Sequence, residues 1–284
     1  MPCADLISIV ITTYNRSGAL ACVLHALESQ SDLHFEVVVA DDGSADDHQA
    51  KIQSLQAKSA LNITHVWHPD VGFTASQVRN LGVAASKGNY IILLDGDCVP
   101  ESDFVARHRL LAEKGCFVNG SRVLLNKQFT EKVEGGLIQL FSRSFLVWIY
   151  RWMAGQSSKA LANFRLPDIS IRKQAAFKWK GIRSCNMSVY KSDYIAVNGF
   201  DETFVGWGHE DADFVLRLHN AGLCRKNGFW STEVYHLWHR ESSRDMENVN
   251  AQLVRERIAT KQIRATVGYE ESLTRTNVRV SSKR

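Results

Sequence analysis

The sequence has no cysteine pair at C-x-x-C spacing, no apolar run long enough to cross a bilayer, and no glycine-rich phosphate loop. Each absence excludes something. The six cysteines (Cys3, Cys22, Cys98, Cys116, Cys185, Cys224) are scattered through 284 residues, a length that needs no covalent staples. Reduced thiols in a cytoplasmic protein are therefore expected. A membrane-spanning helix needs ~20 apolar residues, and the nearest stretch, GLIQLFSRSFLVWIYRWMAG (136–155), is interrupted by Arg143 and Arg151. It reads either as a buried helix or as an interfacial one, with arginines snorkelling beside Trp148, Tyr150 and Trp152. The start, MPCADLISIVITTYNRS, lacks a basic leader region and its apolar run ends at Thr12, so no signal peptide is expected. Neither G-x-x-x-x-G-K-[ST] nor G-x-G-x-x-G follows the first apolar segment. A phosphate-bearing ligand would thus be held by metal and side chains. The net charge is only +4, which implies no polyanion-binding surface and no nucleic-acid partner.

A hydrophobic content of 45% supports a sizeable core in one large domain. LISIVITTY (6–14) is a continuous apolar, β-branched run, suited to a strand buried on both faces. Ser17 is expected to cap a helix through about residue 30. A strand at 35–40, a helix at 45–58, a strand in NITHVWH, a helix in TASQVRNLGVAASKG closed by Gly88, and a strand in NYIILLDGD follow. This βαβαβαβ order predicts a parallel sheet with helices on both faces and a ligand outside the carboxyl ends of its strands. TTYN, DDGS and DGD occupy those ends and should meet. The second half is less regular. It contains a strand in GCFVNGSRVLL, the basic stretch IRKQAAFKWKGIR (171–183), a strand in STEVYHLWH, and a helix over 246–267. The polar tail EESLTRTNVRVSSKR lacks periodicity and is expected to fray.

Three clusters carry chemistry. In LLDGDCVP, Asp95 and Asp97 flank a glycine at a strand end, an oxygen-ligand arrangement for a hard divalent cation bridging a diphosphate. In VVADDGS, an aspartate can accept a nucleobase imide N–H while Tyr14 stacks on the base; the alternative is an acidic turn that caps a helix. Arg79 has the fork geometry that matches a phosphate, although a solvated helix arginine would look the same. In VGWGHEDADF (205–214), Glu210, Asp211 and Asp213 suit a helix N-terminus, where carboxylates offset the dipole. That does not account for Trp207 between two glycines. In VYHLWHRE, His236 and His239 are spaced so that one metal could use either.

ISIVITTYNRS, VVVADDGSADD, VRNLGVAASKGNYIILLDGDCVP and NGFDETFVGWGHEDADFVLRL together resemble, in order, the motifs of family-2 glycosyltransferases of the GT-A fold. The likeness extends over roughly residues 6–240, and the block from Asn198 to Arg217 resembles the acceptor motif of galactosyltransferases and chondroitin polymerases. The resemblance implies an α/β, Rossmann-like nucleotide-sugar-binding sheet flanked by helices in a single domain. Thr13 and Tyr14 would line a uridine pocket, Asp42 would hold the uracil and Arg79 would sit near the nucleotide. Asp95 of the DxD motif would approach the ribose. Asp97, with His236 or His239, would bind the metal, most simply Mn2+ or Mg2+. Trp207 would lie on a mobile loop over the donor, Asp211 would be the general base, and Glu210 would bind acceptor hydroxyls. His209 stands where relatives often have a third glycine.

The chemistry agrees. Inverting sugar transfer needs a base for the acceptor hydroxyl and an electrophile for the departing diphosphate. The helix dipole is expected to keep Asp211 ionised at neutral pH. The expectation is a metal-dependent inverting transferase acting on a UDP-sugar and a saccharide or lipid-linked saccharide, in cell-envelope polysaccharide or lipopolysaccharide synthesis. Residues 1–97 would form the nucleotide half, 98–245 the acceptor half, and 246–284 a terminal helix and flexible tail. Peripheral contact with the inner face of the plasma membrane would run through 137–154 and the basic residues Lys173, Lys178, Lys180 and Arg183 of 172–183. Two rival classes exist. A nucleotidyltransferase would need a basic, glycine-rich loop that TTYNRSGAL does not supply. A non-catalytic nucleotide-sugar or carbohydrate binder on the same scaffold could keep every motif.

Overall fold

A computed structural model of the chain describes residues 4–138, 140–141, 144–179, 181–240 and 244–282. Arg143 and Lys180 lie outside the described residues. The first half alternates as expected: β1 (Ile7–Thr13), α1 (Ser17–Glu28), β2 (Phe35–Asp41), α2 (Asp46–Lys58), β3 (Ile63–Trp67), α3 (Ala75–Ala85), β4 (Tyr90–Asp95). Then come β5 (Cys98–Pro100), α4 (Phe104–Leu111), β6 (Cys116–Asn119), β7 (Ser121–Leu124), α5 (Lys127–Glu134) and α6 (Phe145–Met153). The chain continues through β8 (Lys173–Gln174), β9 (Asn186–Tyr190), α7 (Lys191–Ala196), α8 (Glu210–Asn220), β10 (Cys224–Asn227) and β11 (Glu233–His236). It ends in α9 (Glu247–Thr260), α10 (Tyr269–Ser272) and β12 (Arg279–Ser282).

Among the described residues the large sheet runs β12-β3-β2-β1-β4-β9-β6-β10-β8, and a small sheet runs β5-β11-β7. The strands β3, β2, β1 and β4 are parallel, with Thr13 beside Asp41 and Thr12 beside Asp95. Alternation along β1 sends Ile7, Ile9 and Ile11 to one side, packed with Leu20, Val23 and Leu27 of α1. Val10 faces the other side with Val78 and Leu81 of α3. A strand buried on both faces must be apolar throughout, which is what the run showed. Gly82 lets α3 approach the sheet closely: a Cβ there would lie 2.5 Å from a methyl of Val10.

Several expectations need correction. Ser17 is the first residue of α1 and makes no cap; its hydroxyl lies 2.9 Å from His48 Nδ1. The helix α3 stops at Ser86 rather than at Gly88. The segment expected as one strand, GCFVNGSRVLL (115–125), breaks at Gly120, so that β6 and β7 belong to different sheets. The tail does not fray throughout: β12 pairs antiparallel with β3, Val280 opposite Val66. The C-terminal helix ends at Thr260 rather than near residue 267. The thiols are not all reduced, because the register of β6 and β10 places Cys224 opposite Cys116 and the two form a disulfide with Cα atoms 4.6 Å apart. Spacing could not show this, because the partners lie 108 residues apart.

Within 137–154, α6 buries Trp148 and Arg151, while Leu146, Tyr150 and Met153 are exposed. Arg151 does not snorkel: its guanidinium donates to Leu140 O (2.6 Å) and covers the Trp148 ring at 4.6 Å. No helix among the described residues is long and apolar enough to cross a membrane.

Candidate active site

The carboxyl ends of β1, β2 and β4 meet at one edge of the sheet, as their polar termini predicted. The turn after β4 folds tightly on β1 because Gly96 N–H donates to Thr12 O at 2.7 Å. A Cβ at Gly96 would lie 2.9 Å from that oxygen, so the glycine of the DGD motif is required by contact rather than by flexibility. Asp95 accepts from the Thr12 hydroxyl at 2.8 Å. Its other neighbour is Arg79, whose Nη2 lies 3.4 Å from Oδ1.

Arg79 is buried on α3, and its Nη1 reaches Glu210 Oε1 at 3.3 Å. Burial opposes its charge, but Asp95, Glu210 and Asp211 together outweigh burial and raise its pKa. Its Nε has no partner among the described residues. One guanidinium thus joins the first-half acids to the second-half acids. Asp211 lies next to Glu210 on the first turn of α8, where Arg79 and the backbone N–H groups of Ala212 and Ser184 favour its ionised form. They do not keep its pKa low. Burial, then the charge of Glu210, push its pKa up to about 7, so the expectation of a fully ionised Asp211 at neutral pH is corrected. Desolvation of the first turn outweighs the dipole. Asp213 does not belong to the site: it is buried and bonded to Arg217 (2.8 Å) and Arg257 (2.7 Å).

The loop before α8 carries Gly206, Gly208 and His209 with φ of 74°, 111° and 68°. His209 takes the left-handed conformation that glycine accepts most easily, and its ring lies 5.5 Å from that of Trp179. Trp207 is half-buried, with the Arg244 guanidinium 4.8 Å from its ring.

The acids of DDGS divide. Asp41 is fully buried and bonded to Ser44 N–H (2.8 Å) and His65 Nε2 (3.0 Å), so it is structural. Asp42 receives Thr74 N–H at 3.0 Å and the Thr74 hydroxyl, and lies 3.0 Å from His68 Nε2. A carboxylate offers about four lone-pair sites, so one acceptor position remains. Tyr14 holds its ring 47% exposed, its hydroxyl donating to Asp70 at 2.9 Å. Thr13 is buried with an unpartnered Oγ1 among the described residues.

Asp97 faces β11, which runs antiparallel to β5 and brings His236 opposite Cys98. His239 Nε2 lies 3.2 Å from Asp97 Oδ2 and His236 Nε2 lies 3.7 Å from Oδ1. Donor atoms of Asp97, Cys98 and His236 lie within 4.8 Å of one another. Burial, with Arg122 and His239 nearby, lowers the pKa of His236 and favours the neutral imidazole that can ligate. Arg16 Nη1 lies 2.8 Å from Asp97 Oδ2, a cation already seated on that carboxylate. Carboxylate, imidazole and cation-accepting position all fit a divalent ion. Arg16, Cys98, His68 and Thr74 were not singled out from the sequence. Cys98 adjoins the DGD motif and Arg16 ends TTYNR, so adjacency was the available signal.

These features define a GT-A sheet with polar and acidic motifs at the carboxyl ends of its strands. The model of glycosyl transferase family 2 matches residues 8–193, and that of the N-terminal domain of galactosyltransferase matches 168–240. The chain belongs to glycosyl transferase family 2, a family of transferases. It is 31% identical to chondroitin synthase of Escherichia coli over 84% of this chain and 35% of the relative. It is 29% identical to validoxylamine A glucosyltransferase of Streptomyces hygroscopicus subsp. jinggangensis over 77% of this chain and 52% of the relative. The chain therefore spans about a third to a half of these two relatives. Among solved structures, S. aureus TarS 1-349 in complex with UDP-GlcNAc superposes with a TM-score of 0.60 at 13% identity, covering 94% of this chain and 69% of that one. The mannosyltransferase PcManGT from Pyrobaculum calidifontis, in complex with GDP-Man and Mn2+, gives 0.58 at 13% identity, covering 94% and 71%.

Proposed function

We propose that the protein is a metal-dependent, inverting glycosyltransferase that moves a sugar from a UDP-sugar to a saccharide or lipid-linked saccharide in cell-envelope polysaccharide or lipopolysaccharide synthesis. The observation that carries this reading is the single cluster in which Arg79 joins Asp95, at the donor edge, to Glu210 beside Asp211. Residues 1–97 form the nucleotide half, 98–245 the acceptor half, and 246–284 a C-terminal helix and tail.

The exposed Tyr14 ring stacks on uracil, and Asp42 accepts its imide N–H at the remaining lone pair. Thr13 lines the same pocket and Asp95 faces the ribose. Asp97, with His236 or His239, would hold Mn2+ or Mg2+. Such an ion supplies charge neutralisation for the leaving diphosphate. Asp211, ionised, removes the proton of the acceptor hydroxyl as its oxygen bonds to the anomeric carbon on the side opposite the departing diphosphate, which inverts that carbon. Glu210, oriented by Arg79, holds acceptor hydroxyls; Trp207 covers the sugar and excludes water. The exposed face of Leu146, Tyr150 and Met153, together with Lys178 and Arg183, supports peripheral contact at the inner face of the plasma membrane. Fractionation that leaves the protein wholly soluble at low salt removes that part of the reading.

The test is a screen of UDP-sugars and saccharide pools for nucleotide release, with and without Mn2+. Transfer that needs the ion is expected. Tight nucleotide binding without transfer to any pool means a binding protein on this scaffold. Transfer that survives full chelation rejects the metal.

A further inference from the structure

Beside the site lies a cleft of about 400 Å³ lined by Arg122, Lys159, Arg183 and Arg225 together with Asn119, Asn227 and Phe229. No carboxylate lines it among the described residues. Four cationic side chains around one hollow repel each other unless an anion joins them. Arg225 shows that strain: burial and then the charge of Arg183 lower its pKa. Glu233, which does not line the cleft, is buried and lies 3.7 Å from Lys159 Nζ.

The cleft adjoins the candidate chemistry on two sides. Arg122 lines it and also touches Cys185 Sγ at 3.9 Å, and Cys185 O accepts from the backbone N–H of Asp95 at 3.2 Å. Arg183 lines it and precedes Ser184, whose backbone N–H favours the ionised form of Asp211. The cleft therefore lies beside chain that carries both the base and the donor edge. Two asparagines, two serines, two glycines and one aromatic ring are a lining suited to sugar hydroxyls and a sugar face. Net positive charge in such a lining selects an acidic sugar.

Resting on the glycosyl-transfer reading, we propose that this cleft is an acceptor subsite for an anionic saccharide, one whose carboxylate or phosphate is gripped by Arg183 and Arg225. The substrate class is thereby narrowed from saccharides to acidic saccharides.

The full chain, with Mn2+ and without donor, is titrated calorimetrically with a uronate oligosaccharide, with its carboxyl-reduced counterpart, and with a phosphorylated saccharide. UDP binding is measured in parallel. Binding of an acidic saccharide at least about tenfold tighter than the reduced one is expected, the worth of a charge-assisted hydrogen bond. The preference should fall in Arg183→Gln and in Arg225→Gln, and weaken with salt. Whether uronate or phosphate binds more tightly identifies the anion. Equal affinity for the acidic and reduced saccharides, or a preference that both variants retain, overturns the proposal. Loss of UDP binding by the parent chain counts against the glycosyl-transfer reading alone, because saccharide affinity is read without donor. Arg183 is exposed, so Arg183→Gln keeps the outcome interpretable if Arg225→Gln fails to fold.

Discussion

Arg79 and Glu210 lie 131 residues apart and meet at 3.3 Å, the same guanidinium holding Asp95 at 3.4 Å. This contact sets the charge felt by Asp211, whose burial raises its pKa to about 7. As a base it works only when ionised, so kcat/KM should rise with pH through about 7 and level off above it. Arg79→Gln removes the cation that opposes this shift, and the acid limb should move to higher pH. Stability follows the opposite course. Asp211 binds its proton more tightly folded than unfolded, so stability falls as pH rises from the ordinary aspartate value to about 7. Asp211→Asn should therefore gain thermal stability relative to the parent at pH 8 and not at pH 3. A pH–rate profile and melts at both pH values check this.

Asp97 lies against two histidines and Arg16. Asp97→Asn should weaken Mn2+ and donor binding together, read by metal titration and by nucleotide affinity in the same sample. His236→Ala and His239→Ala distinguish which histidine joins Asp97: one should lower metal affinity by ~10-fold or more and the other much less. Equal, small effects from both histidines would leave only the carboxylate as ligand.

Asp213 sits fully buried between Arg217 and Arg257, and Arg257 also reaches Asp201 at 2.9 Å. This network fastens α9 beneath α8. Asp213→Asn leaves buried guanidinium charge uncompensated and should cost ~3–5 kcal/mol in denaturant unfolding. A loss below about 1 kcal/mol would place the network among weak ion pairs.

The parallel core was legible because β1, β2 and β4 are buried on both faces, which writes their apolar runs directly into the sequence. The DGD and HED acids were legible as motifs, but their environment was not. The rise in the Asp211 pKa comes from desolvation and then from the charge of Glu210, whereas the dipole argument weighed only the helix terminus. The Cys116–Cys224 bond, the β12 pairing and the Arg16–Asp97 contact depend on strand register and tertiary approach. None leaves a local periodicity. The break at Gly120 did leave a local signal, the turn-forming Asn119-Gly120-Ser121 between the apolar runs 116–118 and 123–125, but the expectation joined those two runs in one strand.

Asp211 and Glu210 are adjacent on α8, about 100° apart around the helix, so they cannot serve one role interchangeably. The deciding measurement is the single-turnover rate of sugar transfer for Asp211→Asn at saturating donor, Mn2+ and acceptor, at pH 8. A fall of ~10²–10⁴ with donor affinity unchanged is expected, the range for a lost general base. Near-normal turnover in that variant, with Glu210→Gln inactive, would contradict the assignment of Asp211 as the base.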